Sequence, residues 1–287
     1  MSGPGREPAE STGFFRSTSD HRLFFRLWRS PSESAILILV HGIGEHSGRY
    51  ERLASELRAN DISVFAHDLL GHGRSIGQRG HISRFDDFTS DLRDFRAHVQ
   101  KLVGEELPVF LMGHSLGGLI SLRFLQQYPE IPWRGAVLSA PALGLRMQVP
   151  RWKRAAARVL SRAVPWLALD NGIDATDLSH DEEVIEAYLR DPLVHRRISA
   201  RLFAEMQAAS STARERMPDI AVPNLLLLLP LDDRICDTDA SRAAVARIAK
   251  ASKVTVYEYE GAFHEVFNET CRQRVVRDLQ AWLDEVG

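Results

Sequence analysis

Cysteine is scarce: the 287 residues hold only Cys236 and Cys271. Two thiols cannot form the disulfide framework of a small secreted domain, and reduced cysteines suit a cytosolic setting, so a cytoplasmic protein is expected. Long apolar runs are also missing. The longest, Ala35 to Val40 and Leu225 to Leu229, fall well short of the roughly 18 to 20 residues a spanning helix needs, and they read as buried strands. Met1 to Thr12 is rich in Gly, Pro, Ser and Glu without an apolar segment, so a flexible N-terminus with no secretory signal is expected. Nor is there an excess of charge. The formal net charge is -2, which leaves no global field to gather nucleic acid and excludes that partner class.

What the chain does have is 44% hydrophobic and 26% charged residues, enough apolar material for a large core. Phe14 to Trp28 suits an antiparallel hairpin at a sheet edge. From Ala35 onward buried strands alternate with amphipathic helices. Tyr50, Leu53, Ala54 and Leu57 share one helical face, as do Phe88, Leu92, Phe95, Val99 and Leu102. Strands are predicted at 61–66, 109–112, 135–139, 222–229 and 253–259, and the last helix turns Val276, Leu279, Leu283 and Val286 inward. This rhythm defines an α/β protein with a mostly parallel sheet covered on both faces. It lapses from Ala142 to Pro218, where no convincing strand is seen. The expected organisation is a core of residues 13–141 and 219–287 carrying a helical cap at 142–218.

The chemistry is announced by Gly113-His114-Ser115-Leu116-Gly117, which follows a predicted strand and opens a predicted helix, the context a nucleophile elbow requires. A serine on so sharp a turn is strained, and Cβ atoms two residues to either side would collide with the neighbouring backbone, hence the glycines. Its partners follow in the order acid then histidine. Of the eleven histidines, only His264 lies just after the last predicted strand, so His264 is the expected base. The acid belongs after the preceding strand, where Asp232, Asp233, Asp237 and Asp239 all stand. Asp233 is the choice and Asp232 the alternative, while Asp237 or Asp239 suits a helix N-cap. Backbone amides of Leu116 and of Ile43, in His41-Gly42-Ile43-Gly44, are the expected oxyanion donors. Acyl transfer of this kind calls for no metal or organic cofactor.

His41 to Tyr50 (HGIGEHSGRY), Asp68 with Gly71 to Ser75, and Gly113 to Gly118 together resemble the monoacylglycerol lipase and lysophospholipase group of α/β hydrolases, with similarity from about Phe24 to Leu283. The resemblance implies an α/β-hydrolase fold and a serine hydrolase acting on esters of single-chain lipids, foremost monoacylglycerols, with lysophospholipids or small esters as the alternative. A non-catalytic lipid-binding homologue is the rival from another class. The family's Gly-x-x-Asp-Arg pattern falls on Pro230 to Arg234 and favours Asp233, although Pro230 replaces the glycine. Glu45, Arg49 and Tyr188 are implied as substrate-binding residues at the polar end of the pocket, and Cys236 as a pocket wall. Phe267 stands where some of these lipases have a second histidine, which weakens the case for glycerol.

Inside the cap, six basic residues from Arg146 to Arg162 run beside Trp152, Ala155, Ala156, Val159, Leu160 and Ala163 at helical spacing. A basic amphipathic helix over 150–166 can rest on an anionic lipid surface, or else pack its apolar stripe on the core. The acidic stretch from Asp170 to Asp191 reads as a solvated face.

Overall fold

The computed structural model describes residues 10–146 and 159–287. Eight strands form the central sheet: β1 (Ser11–Arg16), β2 (Arg22–Trp28), β3 (Ala35–Val40), β4 (Ile62–His67), β5 (Val109–His114), β6 (Gly135–Ser139), β9 (Asn224–Pro230) and β10 (Lys253–Tyr259). They lie in the order β1-β2-β4-β3-β5-β6-β9-β10. β1 and β2 make the antiparallel hairpin, β2 joins β4 antiparallel, and every later pairing is parallel. The hairpin turns through Asp20 at φ 65°, a left-handed conformation that short Asx side chains tolerate.

β3 shows why the inner strands are apolar throughout. Ile36, Ile38 and Val40 enter one buried cluster and Ala35, Leu37 and Leu39 another, one on each face of the sheet. The first face is covered by helices Phe85–Val103 and Leu116–Gln127, the second by helices Glu51–Arg58 and Arg272–Val286. The final helix buries Val276, Leu279, Leu283 and Val286 as its spacing predicts. Leu102 departs from its predicted face: at the last turn of Phe85–Val103 it is 42% exposed.

Between residues 142 and 218 the described part of the chain departs from the expected helical cap without strands. It forms helices Glu182–Arg190 and Ala200–Glu215, but also a two-stranded antiparallel ribbon, β7 (Ala168–Asp170) with β8 (Arg197–Ser199). Strands of three residues are too short to leave an alternating signature, so their absence from the sequence reading has a simple cause. Leu202, Met206, Ala209 and Ala213 of helix Ala200–Glu215 belong to the same buried cluster as Phe88 and Leu119. Phe85 N donates to Glu205 Oε2 at 2.8 Å, and Gln126 Nε2 to the Ala213 carbonyl at 2.9 Å.

Several expected charges are used differently. Arg146 donates to the Asp233 carbonyl at 3.0 Å. In the acidic stretch, Asp174 and Asp181 cap helical turns, Asp177 pairs with Arg234 at 3.1 Å and Asp191 with His46 at 2.8 Å, so the stretch is not simply a solvated face. Arg151, Lys153, Arg154 and Arg158, with Trp152, lie outside the described residues.

Candidate active site

Parallel strands carry their following loops to one rim of the sheet, where α/β proteins place their ligands. Four such loops meet here, after β3, β5, β9 and β10. Ser115 follows β5 with φ 52° and ψ -115°, a conformation costly for any residue with a side chain. The surroundings enforce it. A Cβ on Gly113 would stand 2.3 Å from the Gly117 carbonyl oxygen, and one on Gly117 would stand 2.0 Å from that of Val40. Ser115 N donates to the Ser139 carbonyl at 2.9 Å, and its own carbonyl accepts from Leu119 and Ala142. The serine is thus clamped by β6 and its own helix.

Asp233 and His264 come together as the loop order predicts. His264 Nδ1 lies 2.8 Å from Asp233 Oδ2, and both side chains are buried. Asp233 Oδ1 accepts from the amides of Ile235 and Cys236 at 2.8 and 2.9 Å, so each carboxylate oxygen is committed. Burial would raise the Asp233 pKa, but the facing imidazole and these amides hold it below the usual carboxylate range. Burial likewise pushes His264 down, and Asp233 opposite its ring, aided by Glu265 and Glu45, more than reverses this. Asp232, the alternative acid, donates its amide to the Ala262 carbonyl, while Asp237 caps helix Thr238–Val245.

Ser115 and His264 line one small cavity together with Gly42, Ile43, Glu45, His114, Tyr188 and Glu265. The loop carrying Ile43 is fixed by the buried His41. Its Nδ1 faces the Gly42 carbonyl at 2.8 Å and its Nε2 accepts the Leu69 amide at 2.9 Å. Burial above all keeps this imidazole neutral, its pKa lowered. Gly44, at φ 78°, has no room for a Cβ, which would stand 2.5 Å from the His195 carbonyl oxygen of the insertion. Leu116 opens helix Leu116–Gln127, so its amide is one of the unpaired donors of a helix start. Asp68 and the glycine turn after it are structural. Asp68 Oδ1 accepts from Ser47 N and Oγ, its Oδ2 from the Arg74 amide, and a Cβ on Gly73 would stand 2.1 Å from Oδ2.

Glu45 and Tyr188 reach the cavity wall, whereas Arg49 stands behind them. Its guanidinium donates to Glu45 Oε2 at 3.0 Å, grips both oxygens of Glu265, and lies 4.8 Å from the Tyr188 ring centroid. Glu265 is the residue the sequence reading passed over. No local signal marks it, since Glu260 and Glu269 stand in the same stretch; its pairing with the distant Arg49 does.

On the other side of Ser115 opens a larger cavity of about 280 Å³, lined by Leu143, Leu145, Ile173, Phe203, Met206 and Ile235 among others. Cys236 forms part of its wall, beside Ser115. Burial, with Asp233 nearby, pushes the Cys236 thiol well above its usual pKa, so it stays protonated. Asp233, Cys236 and His264 bring ligand-type atoms within 4.8 Å of one another. Both Asp233 oxygens and His264 Nδ1 are already hydrogen-bonded, and the thiol is protonated, so this donor set fits a hydrogen-bonded relay better than a metal.

A strained serine on a strand-to-helix elbow, with a buried histidine–aspartate pair lining the same cavity, defines a serine hydrolase of the α/β-hydrolase fold. Residues 31–271 match the family model described as serine aminopeptidase, S33, and the chain belongs to this family. It is 36% identical to human monoglyceride lipase over 92% of this chain and 87% of that protein. It is 31% identical to phospholipase YtpA of Bacillus subtilis over 90% of this chain and 98% of that one. The crystal structure of Paleococcus ferrophilus monoacylglycerol lipase superposes with a TM-score of 0.83 at 34% identity, covering 92% of this chain and 99% of that one. The protein is therefore a monoacylglycerol lipase-like serine ester hydrolase.

Proposed function

We propose that the protein hydrolyses esters of single-chain lipids, foremost monoacylglycerols, through an acyl-enzyme on Ser115. The observation that carries this reading is the His264 Nδ1 to Asp233 Oδ2 contact of 2.8 Å beside the strained serine. With Nδ1–H donated to Asp233, Nε2 keeps its lone pair, the tautomer a general base needs. Ser115 Oγ attacks the ester carbonyl carbon while its proton passes to His264 Nε2. The oxyanion is held by the amides of Ile43 and Leu116, preorganised by His41 and by the helix start. The imidazolium returns the proton to the leaving alcohol, and water then repeats the sequence to free the acid.

The cavity of about 280 Å³ is just below the roughly 300–1,000 Å³ typical of ligand sites, and it suits one acyl chain. The polar wall of Glu45 and Tyr188, braced from behind by Arg49, takes the alcohol half. Residues 142–218 act as the lid that closes over both. A fluorophosphonate probe tests the reading: the native chain should be labelled and Ser115→Ala should not. Undiminished labelling of Ser115→Ala would overturn it, and parallel turnover of monoacylglycerols and lysophospholipids ranks the substrates.

Among the described residues no helix is long and apolar enough to cross a membrane. The lid nevertheless exposes Val159, Trp166 and Leu169 by 66%, 59% and 61%, close in sequence to Arg162 and the basic segment before it. These support peripheral contact with an anionic lipid surface. Co-sedimentation with anionic vesicles should weaken in a Trp166→Ala, Leu169→Ala double variant. Binding indifferent to both lipid charge and this variant would eliminate the contact.

A further inference from the structure

The cavity shared by Ser115 and His264 is walled by carboxylates, and this bears on which alcohol can leave through it. Glu45 and Glu265 both line it, at only 3% and 5% exposure. One guanidinium serves the two: Arg49 Nη1 donates to Glu45 Oε2 at 3.0 Å and Arg49 Nη2 to Glu265 Oε2 at 2.8 Å. Two carboxylates on one cation leave a surplus negative charge, and Asp233 on the other side of His264 adds another. His114 offers no compensating charge, since burial, together with His264, brings its pKa down to about 4.

The hydrogen-bond inventory points the same way. Glu45 Oε1 already accepts from the Gly42 amide and the Tyr50 hydroxyl, and Glu265 Oε2 from Asn268 and Arg49. Glu45 Oε2 and Glu265 Oε1 each hold one described donor, from Arg49, and a carboxylate oxygen has room for a second. Buried acceptors with spare capacity are met by hydroxyl donors, whereas a phosphate there would bury like charges together. The wall is also fixed in place, because the Glu265 amide donates to the Leu178 carbonyl of the insertion at 2.9 Å. Only about 10 Å³ of the cavity is unfilled, roughly the room of one water. Seating a polyol requires the Tyr188 ring to yield toward the hollow of about 210 Å³ that it walls on its other side.

We propose that Glu265, acting with Glu45, is a specificity-determining residue for the alcohol half of the substrate: it selects esters of an uncharged polyol and rejects those whose leaving alcohol carries an anionic phosphate. This rests on Ser115 being the nucleophile. It is tested on the full chain by charging Ser115 with acyl groups from a p-nitrophenyl ester and letting added alcohols compete with water. In that transfer the alcohol oxygen bonds to the acyl carbon, the bond to Ser115 Oγ breaks, and the alcohol proton returns to Oγ through His264. At equal concentration and ionic strength glycerol should be acylated at least thirtyfold faster than glycerol 3-phosphate. The uncharged dimethyl ester of glycerol phosphate should behave like glycerol.

Glu265→Gln should narrow the glycerol-to-phosphate ratio at least fivefold, whatever its absolute rate, and Glu265→Asp should restore it. Equal acylation of glycerol and glycerol 3-phosphate by the native chain overturns the proposal. So does rejection of the uncharged phosphate ester, which would make size the criterion, or an unchanged ratio in Glu265→Gln. Should that variant fail to fold, the three alcohols on the native chain still decide. Absence of any nitrophenolate release or fluorophosphonate label would instead defeat the Ser115 assignment itself.

Discussion

Replacing Asp233 with asparagine isolates what the carboxylate contributes, because its two oxygens have different employers. Oδ1 accepts the Ile235 and Cys236 amides and Oδ2 faces His264 Nδ1. An asparagine must choose. Turning its NH2 toward the two amides strands both donors in a buried site, at about 1–3 kcal/mol each. Turning the NH2 toward His264 keeps those bonds and costs only a change of imidazole tautomer, so this orientation wins. His264 must then accept at Nδ1 and carry its proton on Nε2, where it cannot take one from Ser115. The fold should survive while kcat falls by about 10⁴, or roughly 5.5 kcal/mol in the barrier. The pH profile supplies a second signature. His264 is active when neutral and its pKa is raised, chiefly by Asp233 against the opposing pull of burial. Native kcat/KM should therefore rise with pH through a midpoint above the ordinary histidine value, and in Asp233→Asn the residual acid limb should move to lower pH. Hydrolysis of p-nitrophenyl butyrate from pH 5 to 9, beside urea melts of both proteins, measures all three quantities. A kcat within tenfold of native in a folded variant, or an acid limb that stays put, refutes the reasoning.

Gly117→Ala should destabilise the chain by about 3 kcal/mol or more, because its Cβ would stand 2.0 Å from the Val40 carbonyl oxygen, an overpacking that only backbone movement relieves; a urea midpoint unchanged within error contradicts this. Asp191→Asn should cost about 1 kcal/mol at pH 7, since the carboxylate binding His46 Nε2 at 2.8 Å is partly exposed. Burial raises its pKa, but His46 and the Leu193 amide hold it below the usual value. The contribution is thus present above the unfolded pKa and lost as pH falls through the folded one, and a stability gap that does not shrink between pH 7 and pH 3 argues against the contact. Cys236, 2% exposed with its thiol held protonated, should react with iodoacetamide at least a hundredfold more slowly than a free thiol; labelling at the solvent rate would show that the cavity wall opens.

Much of this arrangement was readable along the chain. The continuous apolar strands specify a sheet buried on both faces, and Gly113 and Gly117 mark the elbow because a Cβ at either position meets backbone. His264 was expected from the order of loops after strands, a property of the sheet, whereas that order left four aspartates and the family pattern over Pro230 to Arg234 favoured Asp233. Three things were not readable. The β7–β8 ribbon is too short to show a period, Arg146 and Asp191 bond to partners 87 and 145 residues away, and Glu265 gains its meaning only from Arg49, 216 residues distant. Long-range pairing of single charges leaves no periodic trace, whereas burial on a face does.

Helix Ala200–Glu215 shares its buried side chains with the sheet's own helices, and this limits how the active site can be uncovered. A helix with a private interior could swing away freely, but moving this one would tear the hydrophobic interior. Any opening over Ser115 that leaves the helix docked keeps that interior closed. Exchanging this helix between relatives would, on the same grounds, mean redesigning the helices it packs on.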